Sequence, residues 1–429
     1  MIPIYSPLEN TGKWFSYGLC SQLSLTDPRT VRWVCEVMEP GMPNSAQTRM
    51  AHIQPPIIPL ISELIDQNPG TISLGQGVVH FGPPPDVLNT VKGFWKDPAN
   101  HQYGPIEGNE RLRQQIRDKL RLENRLQTDD LAIVVTAGSN MAFFNAILGI
   151  TKPGDEIIIP SPFYFNQEMA VLTAGCRPVT VPVDQSYLPD PGLIEDAISP
   201  RTRAIVTISP NNPTGVVYPD TLLDDLNEIC GRHGIYHISD EAYEYFVYGS
   251  SQHYSPGSRA QSSGHTISLY SLSKAYGFAG WRIGYMAFPT QLLESLKKIQ
   301  DTNVICPAII SQHAALAALM SGRSYCQPYV EEMAAVRLSV LKALSVLGDQ
   351  IRVVEPTGAF YVFIEVPNTT LSDMVLTQRL IEDYQVAVVP GRAFGISDRC
   401  SLRVSYGALR TKDVLNGMGR LVDGLGQLI

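Results

Sequence analysis

From Leu131 onward, short apolar runs alternate with helical patterns, and this alternation restricts the fold more than any other feature of the chain. LAIVVT at 131–136 has the β-branched content of a strand, and the Gly138-Ser139 turn after it opens the helical stretch MAFFNAILGI. EIIIP at 156–160 is a second strand, followed by a helix to about Ala174. RPVTVPV is a third, followed by a helix near 190–198 with Asp190 as its cap. RAIVTIS at 203–209, IYHISD at 235–240 and TISLYS at 266–271 continue the series. Largely apolar strands separated by helices predict an α/β fold with a mostly parallel central sheet and flanking helices.

The pattern changes near residue 325. A helical stretch at about 328–346 precedes IRVVE, AFYVFIEV, VAVVPG and SLRVSYG, with further helices near 371–384 and 411–427. That order predicts a smaller α+β domain. Residues 54–76, a helix over IIPLISELID and then a short strand TISLG, join it from the N-terminal side. At 429 residues the chain has room for two domains. The division expected is an extension at 1–45, the N-terminal part of the small domain at 46–80, a large domain at 81–324 and the small C-terminal domain at 325–429. The extension shows no clear period of 2 or 3.6, and two readings of it stay open. It is either a loosely packed segment or an over-extended gene start, with Met38, Met42 or Met50 as the true beginning. It lacks the basic start and apolar block of a signal peptide.

The formal net charge of -8 argues against a nucleic-acid partner, because neutralising phosphates requires a basic face. There is no apolar run long enough for a membrane helix, so no membrane partner is expected. The seven cysteines (Cys20, Cys35, Cys176, Cys230, Cys306, Cys326, Cys400) are odd in number and never in CxxC spacing. Reduced thiols in the cytoplasm and no metal site follow from that usage.

In a parallel sheet, functional groups collect where strands end at their carboxyl side. Four predicted strand ends carry polar or small residues: TAGSN, SPNNPTG, SDEAY and SLSK. Gly138-Ser139-Asn140 at a helix start offers unpaired N–H groups to an anion, although many such turns are purely structural. Arg282, Ser271 and Ser273 are further donors for the same anion; the alternative for Arg282 is a salt bridge on the sheet rim. Asp240 ends an apolar strand, so its carboxylate is poorly solvated and a cationic partner is expected. Its alternative role is to cap a helix over EAYEYF. Tyr243 and Asn212 face the same crevice, Asn212 from a turn whose chemistry is often only structural. Lys274 sits between Ser273 and Ala275 in SLYSLSKAYGFAGWRIGY, with Gly277, Gly280 and Gly284 nearby. A cation carried on such small-residue backbone suits one that reaches for a bound electrophile.

These residues resemble the lysine signature of the class I/II aminotransferases, the fold type I pyridoxal-phosphate enzymes. The likeness lies in Ser271, Ser273 and Lys274, in Gly277-Phe278 and Gly280, and in Arg282-Ile283-Gly284, and it extends from about residue 50 to the C-terminus. It implies a cytoplasmic homodimer with shared active sites, using pyridoxal 5′-phosphate. By the resemblance Lys274 is the Schiff-base lysine, Asp240 holds the pyridine nitrogen protonated, and Asn212 and Tyr243 bond the ring oxygen. Tyr164 stacks on the ring, while Ser139, Asn140, Ser271, Ser273 and Arg282 hold the phosphate. Tyr103 reaches a neighbouring subunit's phosphate. Arg403 clamps the substrate carboxylate, with Gly77 adding its backbone N–H beside Asn212.

The segments LGQGVVHFGPPP and KIQDTNVICPAIISQ resemble the plant aromatic aminotransferases that use methionine as a partner. Many aspartate-type relatives carry GEPDF where this chain has Gly77-Val78-Val79-His80-Phe81. The replacement makes the entrance more apolar and favours an aromatic or methionine donor with a 2-oxo acid acceptor. Aspartate or glutamate specificity is the alternative. So is a fold type I lyase, which shares the lysine signature. A regulator built on this fold would need a DNA-binding domain, and residues 1–45 are too short for one. His80 either lines the pocket or is a hydrogen-bonded loop histidine.

Overall fold

The computed structural model describes residues 48–429. The expectations for residues 1–45 therefore lie outside the described residues. Among the described residues thirteen strands form three sheets. In chain order they are β1 (Ile72–Ser73), β2 (Leu131–Thr136), β3 (Glu156–Ser161), β4 (Arg177–Pro182), β5 (Thr202–Ile208), β6 (Tyr236–Asp240) and β7 (Thr266–Ser271). They continue with β8 (Gly284–Pro289), β9 (Arg352–Val353), β10 (Tyr361–Glu365), β11 (Val386–Ala387), β12 (Val389–Pro390) and β13 (Ser401–Ser405).

The central sheet has seven strands in the order β2-β8-β7-β6-β5-β3-β4. All run parallel except β8, which pairs antiparallel with β2 and with β7. β2, β5 and β7 are buried along almost their whole length, as strands covered on both faces must be. β8 is the one strand of this sheet absent from the sequence reading. GYMAFP begins on glycine, ends on proline and follows a glycine-rich segment, so no boundary marks it. Asp190 caps its helix as expected, accepting from the Gly192 and Leu193 backbone N–H groups.

A second sheet, β12-β13-β10-β9, is antiparallel throughout. The short β1 pairs with β11 in parallel, which places residues 72–73 beside the C-terminal third of the chain. Ahead of it, the helix Ile57–Gln67 buries Ile57 and Ile61 in a cluster with Phe363, Ile381, Ala387 and Val389. Arg403 on β13 reaches Asn212, just beyond the carboxyl end of β5.

Candidate active site

Register determines which residues meet. β5 and β6 align Ile208 with Asp240, and β7 and β8 align Ser271 with Gly284, which also faces Thr136 at the end of β2. The chain leaves the sheet at these levels, and the residues just beyond them surround a cavity of about 220 Å³. Ten of the residues expected at the site line it: Ser139, Asn140, Tyr164, Asn212, Asp240, Tyr243, Ser271, Ser273, Lys274 and Arg282. Gly77 and Arg403 touch this set from outside the wall. Tyr103 does not approach it in one chain; it is 82% exposed beside a separate hollow lined by Phe94, His101 and Ile309.

One end of the cavity is built for an anion. Gly138 precedes the helix Ser139–Ile150, whose first N–H groups have no acceptor within the helix. Arg282, in the left-handed region at φ 51°, brings its guanidinium against Gly138. Two requirements hold position 138 to glycine: a φ of +85°, and a Cβ that would lie 2.6 Å from Arg282 Nη2. Arg282 Nη1 donates to the Ala279 carbonyl at 2.9 Å, and no carboxylate pairs with it among the described residues. The salt-bridge alternative is therefore not realised. Ser271 Oγ accepts from the Ser273 N–H at 3.1 Å, bringing both hydroxyl residues to the same end.

The other end holds a buried carboxylate and a buried amine. Asp240 Oδ2 accepts from Gln167 Nε2 at 2.8 Å, and Oδ1 from the Ala242 N–H at 3.2 Å. Burial pushes its pKa up to about 6, against the lowering effect of those two bonds. The cation that Asp240 was expected to pair with does not hydrogen-bond it: both of its donors are neutral, and Lys274 acts on it only through its charge. The helix-cap alternative also fails, because residues 242–245 form turns rather than a helix. Glu241, the next residue, has separate partners in Ser239 and His253.

Lys274 Nζ donates to the Gly77 carbonyl. Burial brings its pKa down to about 8, and the positive charges of Arg403 and Arg282 act in the same direction while Asp240 opposes them. Gly77 thus meets Lys274 through its carbonyl, which leaves the N–H that the resemblance assigns to a substrate uncommitted by this bond. Arg403 Nη1 donates to Asn212 Oδ1 at 3.0 Å, and Nη2 to the Gly75 carbonyl at 2.6 Å. With its oxygen occupied, Asn212 has its amide N–H groups left for a ligand. Burial raises the Tyr243 hydroxyl well above its usual range and the Tyr361 hydroxyl to about 12, so both keep their protons at neutral pH.

Three neighbours carried no expectation from the sequence: Gln167 orients Asp240, Ile208 adds apolar wall, and Tyr361 bonds Tyr243 across 2.7 Å, while Val78 lines the cavity as the apolar entrance predicted. A glutamine inside a helix carries no signal of its own; Tyr361 had one in AFYVF, since a tyrosine buried in a strand needs a partner for its hydroxyl. His80 is turned away from the cavity, toward Glu332 and the rings of Phe81 and Tyr329.

A sheet with one antiparallel strand, a lysine at the end of β7 and an aspartate at the end of β6 define a fold type I enzyme architecture. The model of the family "Aminotransferase class I and II" matches residues 69–421, and the chain belongs to that family. It is an aminotransferase. The chain is 35% identical over 382 residues to Aromatic aminotransferase ISS1 of Arabidopsis thaliana, covering 87% of this chain and 94% of that one. It is 33% identical over 370 residues to the aspartate/prephenate aminotransferase of Thermus thermophilus, covering 85% and 94%. Among solved structures, the aromatic aminotransferase from Pyrococcus horikoshii superposes with a TM-score of 0.79 at 32% identity, covering 86% of this chain and 99% of that one.

Proposed function

We propose that the cavity around Lys274 holds pyridoxal 5′-phosphate and that the enzyme moves amino groups from aromatic amino acids or methionine to 2-oxo acids. One observation carries this reading: a buried lysine amine, a buried carboxylate and an arginine beside a helix N-terminus share one cavity. That donor set fits the cofactor group by group. Ser139, Asn140, Ser271, Ser273 and Arg282 suit a phosphate. Asp240, buried with only neutral hydrogen-bond donors, suits a protonated ring nitrogen. Asn212 and Tyr243 keep N–H and O–H donors for the ring oxygen, and Tyr164 offers a ring face.

Bound there, the cofactor supplies the electron sink that weakens the bonds to an amino acid's Cα. The chain supplies placement and a base. Lys274 Nζ, with its pKa brought near neutrality, is suited to take a proton from Cα and to return one. Arg403 and Asn212 orient the substrate carboxylate. Tyr103 stands outside the cavity of its own chain, as a residue serving a second copy would, and this supports a homodimer with shared sites. Five free cysteines among the described residues support a reducing, cytoplasmic setting. Residues 46–80 and 325–429 act as the smaller domain against 81–324.

The donor class rests on which cations are present. In or against the cavity, the described residues provide Lys274, Arg282 and Arg403, and each already has a task. None remains in this chain for a second carboxylate, while Val78 and Ile208 add apolar wall. The name of the Arabidopsis relative agrees with an aromatic donor. The aspartate-type reading keeps support from the name of the Thermus relative. The visible spectrum decides: Phe, Tyr, Trp, Met, Asp and Glu are added singly to the purified holoenzyme, followed by a 2-oxo acid. Loss of the cofactor's visible band with aromatic donors or Met, restored by the oxo acid, is the expected result. Loss with Asp or Glu alone would keep the enzyme class and replace the donor class. A band that no donor removes would point to a lyase.

A further inference from the structure

Tyr361 opens β10, in the smaller antiparallel sheet rather than the central one, yet its hydroxyl lies 2.7 Å from that of Tyr243. The residue is 1% exposed, and Tyr243 is its hydroxyl's one hydrogen-bond partner among the described residues. The direction of the bond follows from what each hydrogen could reach. If Tyr243 donated, the Tyr361 hydrogen would be buried with no acceptor, a costly arrangement. If Tyr361 donates, both are satisfied, because Tyr243 lines the cavity and its own hydrogen can turn toward a ligand.

The same side chain makes two further contacts with the site. The Arg403 guanidinium lies over the Tyr361 ring, 4.6 Å from its centroid. A Cβ on Gly77 would fall 2.7 Å from Tyr361 Oη, so the hydroxyl occupies space that only glycine leaves open. Gly77 in turn accepts from Lys274. The charged and titratable groups facing Tyr361 are Arg403 from β13, Tyr243 from the turn after β6, and Tyr164 at the start of the helix Phe165–Thr173.

We infer that Tyr361 is a positioning residue: its hydroxyl donates to Tyr243, fixes the Tyr243 hydrogen toward the cavity and strengthens it as a donor, while its ring seats Arg403. Hydrogen bonds in series polarise one another, so a donor that itself accepts a bond donates more strongly. This inference rests on the cofactor site proposed above, where Tyr243 donates to the ring oxygen. Stronger donation to that oxygen favours the deprotonated chromophore and lowers the pH at which its visible band titrates.

Tyr361→Phe removes the hydroxyl and leaves the ring on Arg403. The holoenzyme's visible absorption is titrated against pH in four proteins: wild type, Tyr361→Phe, Tyr243→Phe and the double variant. The expected midpoint in Tyr361→Phe is higher than wild type by roughly half a pH unit or more, the equivalent of one ordinary hydrogen bond. In the Tyr243→Phe background the second substitution should add nothing, because its action passes through that hydroxyl. If Tyr361→Phe does not fold, Gly77→Ala serves instead, since its methyl displaces the Tyr361 hydroxyl and should raise the midpoint too. A shift in Tyr243→Phe with none in Tyr361→Phe would overturn the inference and leave the cofactor site standing. Equal shifts in both backgrounds would also overturn it. A wild-type protein without any visible band would bring down the cofactor reading and this inference with it.

Discussion

Arg403 and Asn212 are 191 positions apart, and the guanidinium Nη1 donates to the amide oxygen at 3.0 Å. Arg403 arrives on β13 and Asn212 on the turn after β5, so the bond joins the smaller sheet to the carboxyl end of the larger one. Arg403 is 2% exposed, its Nη2 is held by the Gly75 carbonyl, and its Nε is buried without a partner. A buried guanidinium with an orphan donor is prepared for an anion the protein does not supply.

Replacing Arg403 by Lys keeps the charge and removes the fork. Charge-assisted hydrogen bonds contribute roughly 1.5–3 kcal/mol each, so kcat/KM for phenylalanine should fall by about 10- to 100-fold. Steady-state kinetics on the folded variant measures this directly. A kcat/KM close to wild type would remove Arg403 from the substrate site.

The residues that line the cavity were legible where they closely follow an apolar strand, because a mostly parallel sheet gathers such ends on one side. Lys274, Asp240, Asn212 and Ser139 all follow that rule. What sequence did not provide was second neighbours. Gln167, on the helix Phe165–Thr173, reaches Asp240 across 73 positions at 2.8 Å, a tertiary relation with no local mark. Tyr361 looked like strand core, and its link to Tyr243 spans 118 positions. β8 was missed for a local reason, since Gly284 and Pro289 bound a run with no alternation.

Gly138→Ala tests the anion end. The new Cβ would meet Arg282 Nη2 at 2.6 Å, and φ +85° is unfavourable for alanine. A backbone at φ 85° and ψ 165° is open essentially to glycine alone and costs another residue about 1–3 kcal/mol. Displacement of the arginine adds to that cost. Cofactor affinity, measured by titrating pyridoxal phosphate into the apoprotein, should weaken by roughly tenfold or more. Unchanged affinity would mean that the phosphate is held elsewhere.

Asp240→Ala separates binding from chemistry. Removing the carboxylate deletes the group assigned to the ring nitrogen while leaving the phosphate contacts intact. Turnover should therefore fall far more than cofactor retention, with retention read from the visible band after gel filtration. Equal losses of both would make Asp240 an anchor and no more.

Lys274 gives a prediction in which stability and activity move in opposite directions. Its folded-state pKa, about 8, lies below the usual 10.5 because the amine is buried and near two arginines. A lysine with a depressed pKa binds fewer protons folded than unfolded, so between pH 8 and 10.5 the apoprotein gains stability as pH rises. Below pH 8 the whole penalty is present, about 3 kcal/mol by the size of the shift. Lys274→Met removes the charge and keeps the length of the side chain. Thermal melts of the cofactor-free proteins should show the variant more stable than wild type at pH 7, with the difference shrinking toward pH 10. Turnover should be abolished at every pH. A variant that is less stable at pH 7, or one that retains near-normal turnover, would contradict the reading of Lys274 as a strained amine kept for chemistry.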